Sequence, residues 1–453
     1  MKLNKRLLAT GVLAASLVAT QAWGAVSSEE AAKLGDSLTP MGAEKAGNGG
    51  DIPAWTGGLT TPPANYKGDG IYVNPFPDET PKFTIDQSNV SEYKDKLSPG
   101  QVAMIKQYPD YKMPVYETHR TAAYPQGIMD ETVENATKTE LIKDGNGLDN
   151  YQDATPFPIP QNGLEVVWNH ITRYRGGSVQ RNIGQATPTA SGAYSIVKFQ
   201  DELTYRNYLT DYEPGKDPNV LFYFKQAITA PARLAGNVLL VHETIDQVKE
   251  PRRAWVYNAG QRRVRRAPQV AYDGPGTASD GMRTSDNLDM FNGAPDRYNW
   301  ELLGKKEMYI PYNSYKLVDR DLSYDEIIKP GHINQDLTRY ELHRVWHVRA
   351  TLKEGERHIY AQRDFYFDED SWQAAVVDHY DGRGELWRVA EAQAMQFYDK
   401  VLPWYAVETL YDLLSGRYLV LGLTNEETNP YQFGVDRQSR DYTPAALRRA
   451  GTR

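Results

Sequence analysis

The sequence predicts a β-rich α+β protein: one large curved antiparallel sheet, covered by helices and by a proline-rich N-terminal arm. Three observations predict it. Beyond Leu164, runs rich in β-branched and aromatic residues follow one another with short polar turns between them. Tyrosine, which suits half-buried strands, occurs 31 times against 11 Phe and 9 Trp. Before that point, Thr61-Pro62-Pro63, Asn74-Pro75-Phe76-Pro77 and Thr155-Pro156-Phe157-Pro158 break the chain into short patches.

The ends and the composition set the compartment. Lys2, Lys5 and Arg6 precede an apolar run over 7–20, and Ala22-Trp23-Gly24 is a small-x-small cleavage site. Residues 1–24 therefore read as a secretory signal peptide cut near Gly24/Ala25, which places the mature chain in the periplasm. No later stretch has the apolar length of a membrane span, so stable insertion is not expected. Removing the three cations takes the formal net charge from −8 to −11, which argues against nucleic acid as a partner. The chain has no cysteine, so disulfides, thiolate metal sites, Cys nucleophiles and a lipid-modified cysteine are excluded. About 430 mature residues are enough to be stabilised by their own core.

Taken in order, residues 25–161 form the arm, 162–424 the sheet and 425–453 a polar, loosely tied tail. In the arm a helix is expected over 28–34, with Glu29 and Glu30 in its first turn. Ser98-Pro99 caps a second helix that stops at Tyr108-Pro109, and 131–143 forms a third, closed by Gly145. The expected strands are 220–229, 238–242, the 252–268 hairpin, 300–311, 340–352, 358–367, 373–380 and 418–423. One late helix is expected over 404–414, because Val407, Leu410, Tyr411 and Leu414 share a helical face and Gly416 follows as its C′ residue.

The 252–268 segment is the most informative. Trp255, Val256 and Tyr257 favour a strand, Asn258-Ala259-Gly260 is turn chemistry with Gly260 free to take positive φ, and the return strand carries Arg262, Arg263, Arg265 and Arg266. Trp255 and Tyr257 share one strand face; Arg263 and Arg265 share one face of the return strand. The aromatics can line a cavity while the arginines meet an anionic head group or a partner protein. Ordinary core packing with a solvated arginine face explains the same pattern.

Other candidates carry less. His343 and His347 lie in a strand pattern, about 13 Å apart at about 3.3 Å per residue, so they cannot share one ion. His242-Glu243 lacks the second histidine of a zinc helix. The acidic, Gly-rich 273–296 connection, with Asp280, Asp286, Asn287 and Asp289, matches no calcium-loop spacing and reads as a surface loop, with a gate or docking element as the other reading; Asp368-x-Asp370 is equally generic. No G-x-S-x-G elbow occurs, and nothing selects a carboxylate pair from 59 acidic residues. Catalytic and metal-ligating sets are therefore empty, and no cofactor is implied.

The hairpin resembles its counterpart in the LolA/LolB-like (outer-membrane lipoprotein-sorting) superfamily. The opening, with Leu38-Thr39-Pro40-Met41-Gly42-Ala43-Glu44-Lys45-Ala46-Gly47-Asn48 leading into Ile52-Pro53-Ala54-Trp55-Thr56-Gly57-Gly58, resembles the domain-of-unknown-function 1329 family of Gram-negative periplasmic proteins within that superfamily. The resemblance runs nearly full length. It implies an open LolA-like half-barrel with helices over an apolar cavity, and a carrier or adaptor for a hydrophobic, lipid-like molecule. It also implies an RND-type (resistance-nodulation-division) exporter and an outer-membrane β-barrel protein as partners. The chain departs from LolA in being about twice as long and in carrying the arm, so a lipoprotein cargo does not transfer. A periplasmic hydrolase or carbohydrate-active enzyme with sugars stacked on Tyr and Trp is the alternative, and a ligand-free envelope scaffold a further one. A carrier requires an apolar cavity, an enzyme an open cleft with convergent carboxylates, and a scaffold a filled core with an exposed apolar patch.

Overall fold

The computed structural model describes residues 25–216, 219–267, 270 and 272–451; the expected signal peptide, 1–24, lies outside them. In the arm, α1 (Ser28–Ala31) is a single turn capped by Ser27, shorter than expected. Next come β1 (Phe83–Ile85), α2 (Val90–Tyr93) and α3 (Pro99–Gln107). Helix α3 starts where the sequence places it, with a Ser98/Gln101 capping box and Pro99 in the first turn. Then follow β2 (Met113–Val115), α4 (Gln126–Asn135) and a small ladder of β3 (Glu140–Leu141) with β4 (Leu148–Asp149). The 131–143 helix is thus corrected. Pro125 opens α4 earlier, and Asn135 ends it with its buried amide donating to the carbonyls of Asp153 and Thr155.

Helix α5 (Gly163–Thr172) stands where strands were expected to begin. Asn162 caps it, and all its residues but Leu164 are buried, so its apolar pattern has no polar face to announce a helix. Beyond it run β5 (Ser178–Ala186), β6 (Val197–Tyr205), β7 (Val220–Ala230), β8 (Val238–Thr244), β9 (Arg253–Asn258), β10 (Arg263–Arg266) and β11 (Tyr298–Pro311). They are followed by α6 (Tyr324–Ile327), β12 (Tyr340–Leu352), β13 (Gln362–Asp368), β14 (Ala374–Tyr380), β15 (Leu386–Phe397), β16 (Leu402–Asp412), β17 (Tyr418–Leu423), β18 (Tyr431–Phe433) and α7 (Pro444–Gly451).

Sixteen of these strands form one sheet in the order β1-β2-β12-β13-β14-β15-β16-β17-β5-β6-β7-β8-β9-β10, with β11 also on β12 and β18 on β5. Every pairing is antiparallel except one parallel β2–β12 contact at Val115 and Tyr340. The β17–β5 pairing brings the last long strand beside the first, while β1 and β10 remain as separate edges, so the sheet does not close into a barrel.

The 404–414 helix is a strand, β16, with all eleven residues buried. A central strand covered on both faces reads as a continuous apolar run, and a helical period can be drawn through any such run. Strand β15 has no counterpart among the expected strands because its buried positions include Arg388, Glu391 and Gln393. The tail is also corrected. Tyr442 stacks on Tyr223 at 5.1 Å and is fully buried with Leu447, which docks α7 under β8–β10.

Register assigns the faces. α3 and α7 lie on one face, where Gly100 leaves no room for a side chain: a Cβ there would meet Asp378 Oδ1 at 2.1 Å. Instead Gly100 N–H and Ser98 Oγ–H donate to the Asp378 carboxylate at 3.0 and 2.9 Å. The other face carries α5, whose Trp168 donates to Gly145 O at 2.9 Å, and the 273–296 connection.

Candidate functional site

The 273–296 connection is not a surface loop. Asp286 and Asp289 are only 2% and 3% exposed, because the segment lies down on the sheet face and is pinned there by guanidinium groups. Asp289 accepts from Arg173 at 2.6 Å and Arg175 at 2.5 Å; Asp286 accepts from Arg363 at 3.0 Å and from His358 at 3.1 Å. Burial alone raises both carboxyls, but Arg363 on Asp286 and the Arg173–Arg175 pair on Asp289 hold them well below the ordinary carboxylate range. Carboxylates committed to arginine in this way are not arranged as a Ca²⁺ loop. Arg388 adds donations to the carbonyls of Met282 and Gly281, and Arg252 to those of Val270 and Asn292.

Between this segment and strands β7–β9 lies a cavity of about 190 Å³. Alternation and register build its floor. Phe222, Phe224 and Gln226 pair with Glu243, Val241 and Leu239, and Leu239 pairs with Val256, so all seven point to one face. The segment closes the roof with Leu288 among others, and Val270, just before it, adds to the lining. Its volume is of the order of the ~150 Å³ apolar cavities that hold one benzene. It therefore takes one ring or a short alkyl segment, and a chain of a dozen carbons must continue out past the half-buried Leu239 and Val256.

Of the residues singled out in the hairpin, Trp255 and Tyr257 lie on the opposite face. Tyr257 is 1% exposed and packs with Leu447 and Tyr442, and Trp255 meets the His242 ring at 4.8 Å. Arg265 pairs with the cavity-lining Val256, and Arg263 with Asn258, so both arginines project, exposed, from the cavity side of edge strand β10. The structure thus separates the two pairs. The turn also differs from expectation: four residues separate Asn258 from Arg263, and Arg262, not Gly260, takes positive φ (53°), with Asn258 Oδ1 accepting from Gln261 N. Cavity residues such as Phe222, Phe224, Leu239 and Val241 could have been grouped by period-two alternation. Both faces of β7 and β8 are apolar, so alternation does not say which face stays open.

His343 and His347 lie on strand β12, with His347 near Asp364. Among the described residues, the one group of metal-binding type is buried His343, Asp368 and Asp370, with donor atoms within 4.8 Å of one another. Arg120 grips Asp370 with two hydrogen bonds at 2.9 and 2.7 Å, and Glu341 faces His343 at 3.0 Å, which makes the cluster an ion-pair network.

Glu408, on β16, is 2% exposed, and burial pushes its carboxyl up to about 7 from an ordinary 4.5. The folded protein therefore keeps a proton that the unfolded chain releases as pH rises from about 4.5 to 7, and this group's contribution falls across that window. His170, depressed to about 3 by burial, acts in the opposite sense, so the effect is isolated by difference. Urea midpoints at pH 5 and pH 7.5 should show Glu408→Gln gaining on wild type by on the order of 3 kcal/mol at the higher pH. Parallel curves would refute the assignment.

The family described as "Protein of unknown function (DUF1329)" matches residues 84–448. "Uncharacterized protein PA3922" of Pseudomonas aeruginosa is 68% identical over 455 residues, covering 100% of both chains. Among solved structures, a DUF1329 family protein from Desulfovibrio piger is 14% identical with a TM-score of 0.42, covering 60% of this chain and 92% of its own. A putative outer membrane lipoprotein-sorting protein domain from Vibrio parahaemolyticus is 12% identical with a TM-score of 0.41 over the same shares. The family match spans most of the sequence, and this chain belongs to the DUF1329 family.

Proposed function

We propose that the protein is a non-enzymatic periplasmic carrier or adaptor for a hydrophobic, lipid-like molecule, acting with an inner-membrane exporter and an outer-membrane β-barrel protein. The observation that carries the binding role is the cavity between β7–β9 and the pinned 273–296 segment, whose sheet side presents Phe222, Phe224, Leu239, Val241 and Val256 while Glu243, Arg252 and Arg283 add charged groups to its lining. At about 0.8 kcal/mol per buried CH₂, a segment of about six carbons contributes on the order of 5 kcal/mol before the costs of association. That is enough for reversible loading, which a shuttle needs. Arg263 and Arg265, exposed on the cavity side of the edge strand, are left to meet a docking protein.

Native mass spectrometry of protein purified from the periplasm, followed by solvent extraction, tests this. A reproducible hydrophobic adduct is expected in the wild type. Leu239→Trp, which fills the mouth, should remove it at a stability cost of about 1–3 kcal/mol. An adduct that survives Leu239→Trp would place binding elsewhere, and repeated absence of any adduct from wild type would overturn the carrier reading.

A further inference from the structure

One cavity residue is out of keeping with its surroundings. Arg283 is 5% exposed and lines the cavity, yet its buried Nη1 has no hydrogen-bond acceptor. The backbone around it is fixed: Arg283 O accepts from Gly276 N at 2.8 Å and from Ser279 Oγ at 3.3 Å. Gly276 leaves the guanidinium its space, since a Cβ there would come within 2.9 Å of Arg283 Nε. The cavity's other arginine is already satisfied, because Arg252 is held by Glu243 and by the carbonyls of Val270 and Asn292.

Two carboxylates act on Arg283 through space, and neither completes it. Asp201 accepts from Arg181 on Oδ2 at 3.1 Å and from the Gln226 amide on Oδ1 at 3.0 Å. Glu408 makes no hydrogen bond to Arg283, and its Oε2 is itself buried without a partner. A buried guanidinium without a hydrogen-bonded anion is costly, and a planar, always charged fork is suited to a carboxylate or phosphate.

We infer that the cavity takes a single-chain amphiphile with an anionic head, the head seated on Arg283 and the start of its chain against Phe222, Phe224, Leu239 and Val241. This rests on the carrier reading and adds the ligand's charge and chain number. A cavity of about 190 Å³ holds one chain's proximal segment and not the several chains of a multiply acylated lipid.

The test compares decanoate with 1-decanol, which share a chain and differ in charge, by calorimetry at pH 8 on the full mature chain. Wild type should bind decanoate at least about tenfold tighter, since a charge-assisted pair contributes about 1.5–3 kcal/mol. Arg283→Met should abolish that preference, bringing the two probes to within about twofold of each other, and Arg283→Lys should keep part of it. Circular dichroism and the thermal midpoint report whether each variant is folded. Equal binding of the two probes to wild type would overturn the anionic-head inference and leave the carrier reading standing. Binding of neither probe, together with no native adduct, would overturn both. The wild-type comparison decides the matter even where Arg283→Met fails to fold.

Discussion

Asp289→Ala is expected to destabilise the protein by about 3–5 kcal/mol, because it strands two buried guanidinium groups. Asp289 takes Arg173 and Arg175 on its two oxygens, and the Arg173 side chain is fully buried. The same aspartate receives His170 Nε2 on its backbone carbonyl, so it ties α5 and the chain that follows it to the cavity roof. Asp289→Asn keeps the shape and loses the charge, and should fall between the two. Urea denaturation gives the stability, and hydrogen exchange should show faster exchange across 273–296 before global unfolding. If that segment stays as protected as in wild type, the ion pairs are not what hold it down.

Trp168→Ala should cost a similar amount, about 3–5 kcal/mol. Trp168 is 1% exposed in a helix buried almost all round, and its indole N–H is the donor to Gly145 O. The substitution opens a cavity under α5 and leaves that carbonyl without its donor. Leu414→Ala, at a side chain 68% exposed, should change stability by no more than about 0.5 kcal/mol and serves as the control. Comparable shifts in the two variants would mean that α5 does not anchor the core.

The hairpin shows how far local chemistry reaches. Trp-x-Tyr followed by an arginine-rich return strand predicts β9 and β10, and both form. Alternation also pairs Trp255 with Tyr257 and Arg263 with Arg265 correctly by face. It cannot say that α7, about 190 residues later, covers the aromatic face, because the cover comes from a distant part of the chain. The cavity therefore lies on the face of Val256, which the aromatic pattern does not mark. The 273–296 segment was illegible for a related reason. A run of Asp, Gly and Asn reads as solvent-exposed unless cations come to it, and these come from residues 173, 175 and 363.

Strand β16 fails in the reverse direction. Leu-Pro-Trp-Tyr-Ala-Val-Glu-Thr-Leu-Tyr-Asp is apolar enough to satisfy either period, and only its partners β15 and β17 decide for a strand. By itself, then, the sequence determined the β-rich class, the α3 cap, the hairpin and strands β7, β8, β11, β12, β13, β14 and β17, since each depends on neighbours a few residues away, while β5, β6, β15 and β16 were not marked as strands. The family opening was legible in the same way. The order of the strands, the face left open and the unpartnered Nη1 of Arg283 were decided by the tertiary structure alone. Each depends on which distant charges and apolar faces are brought into contact, and local propensity carries no record of that.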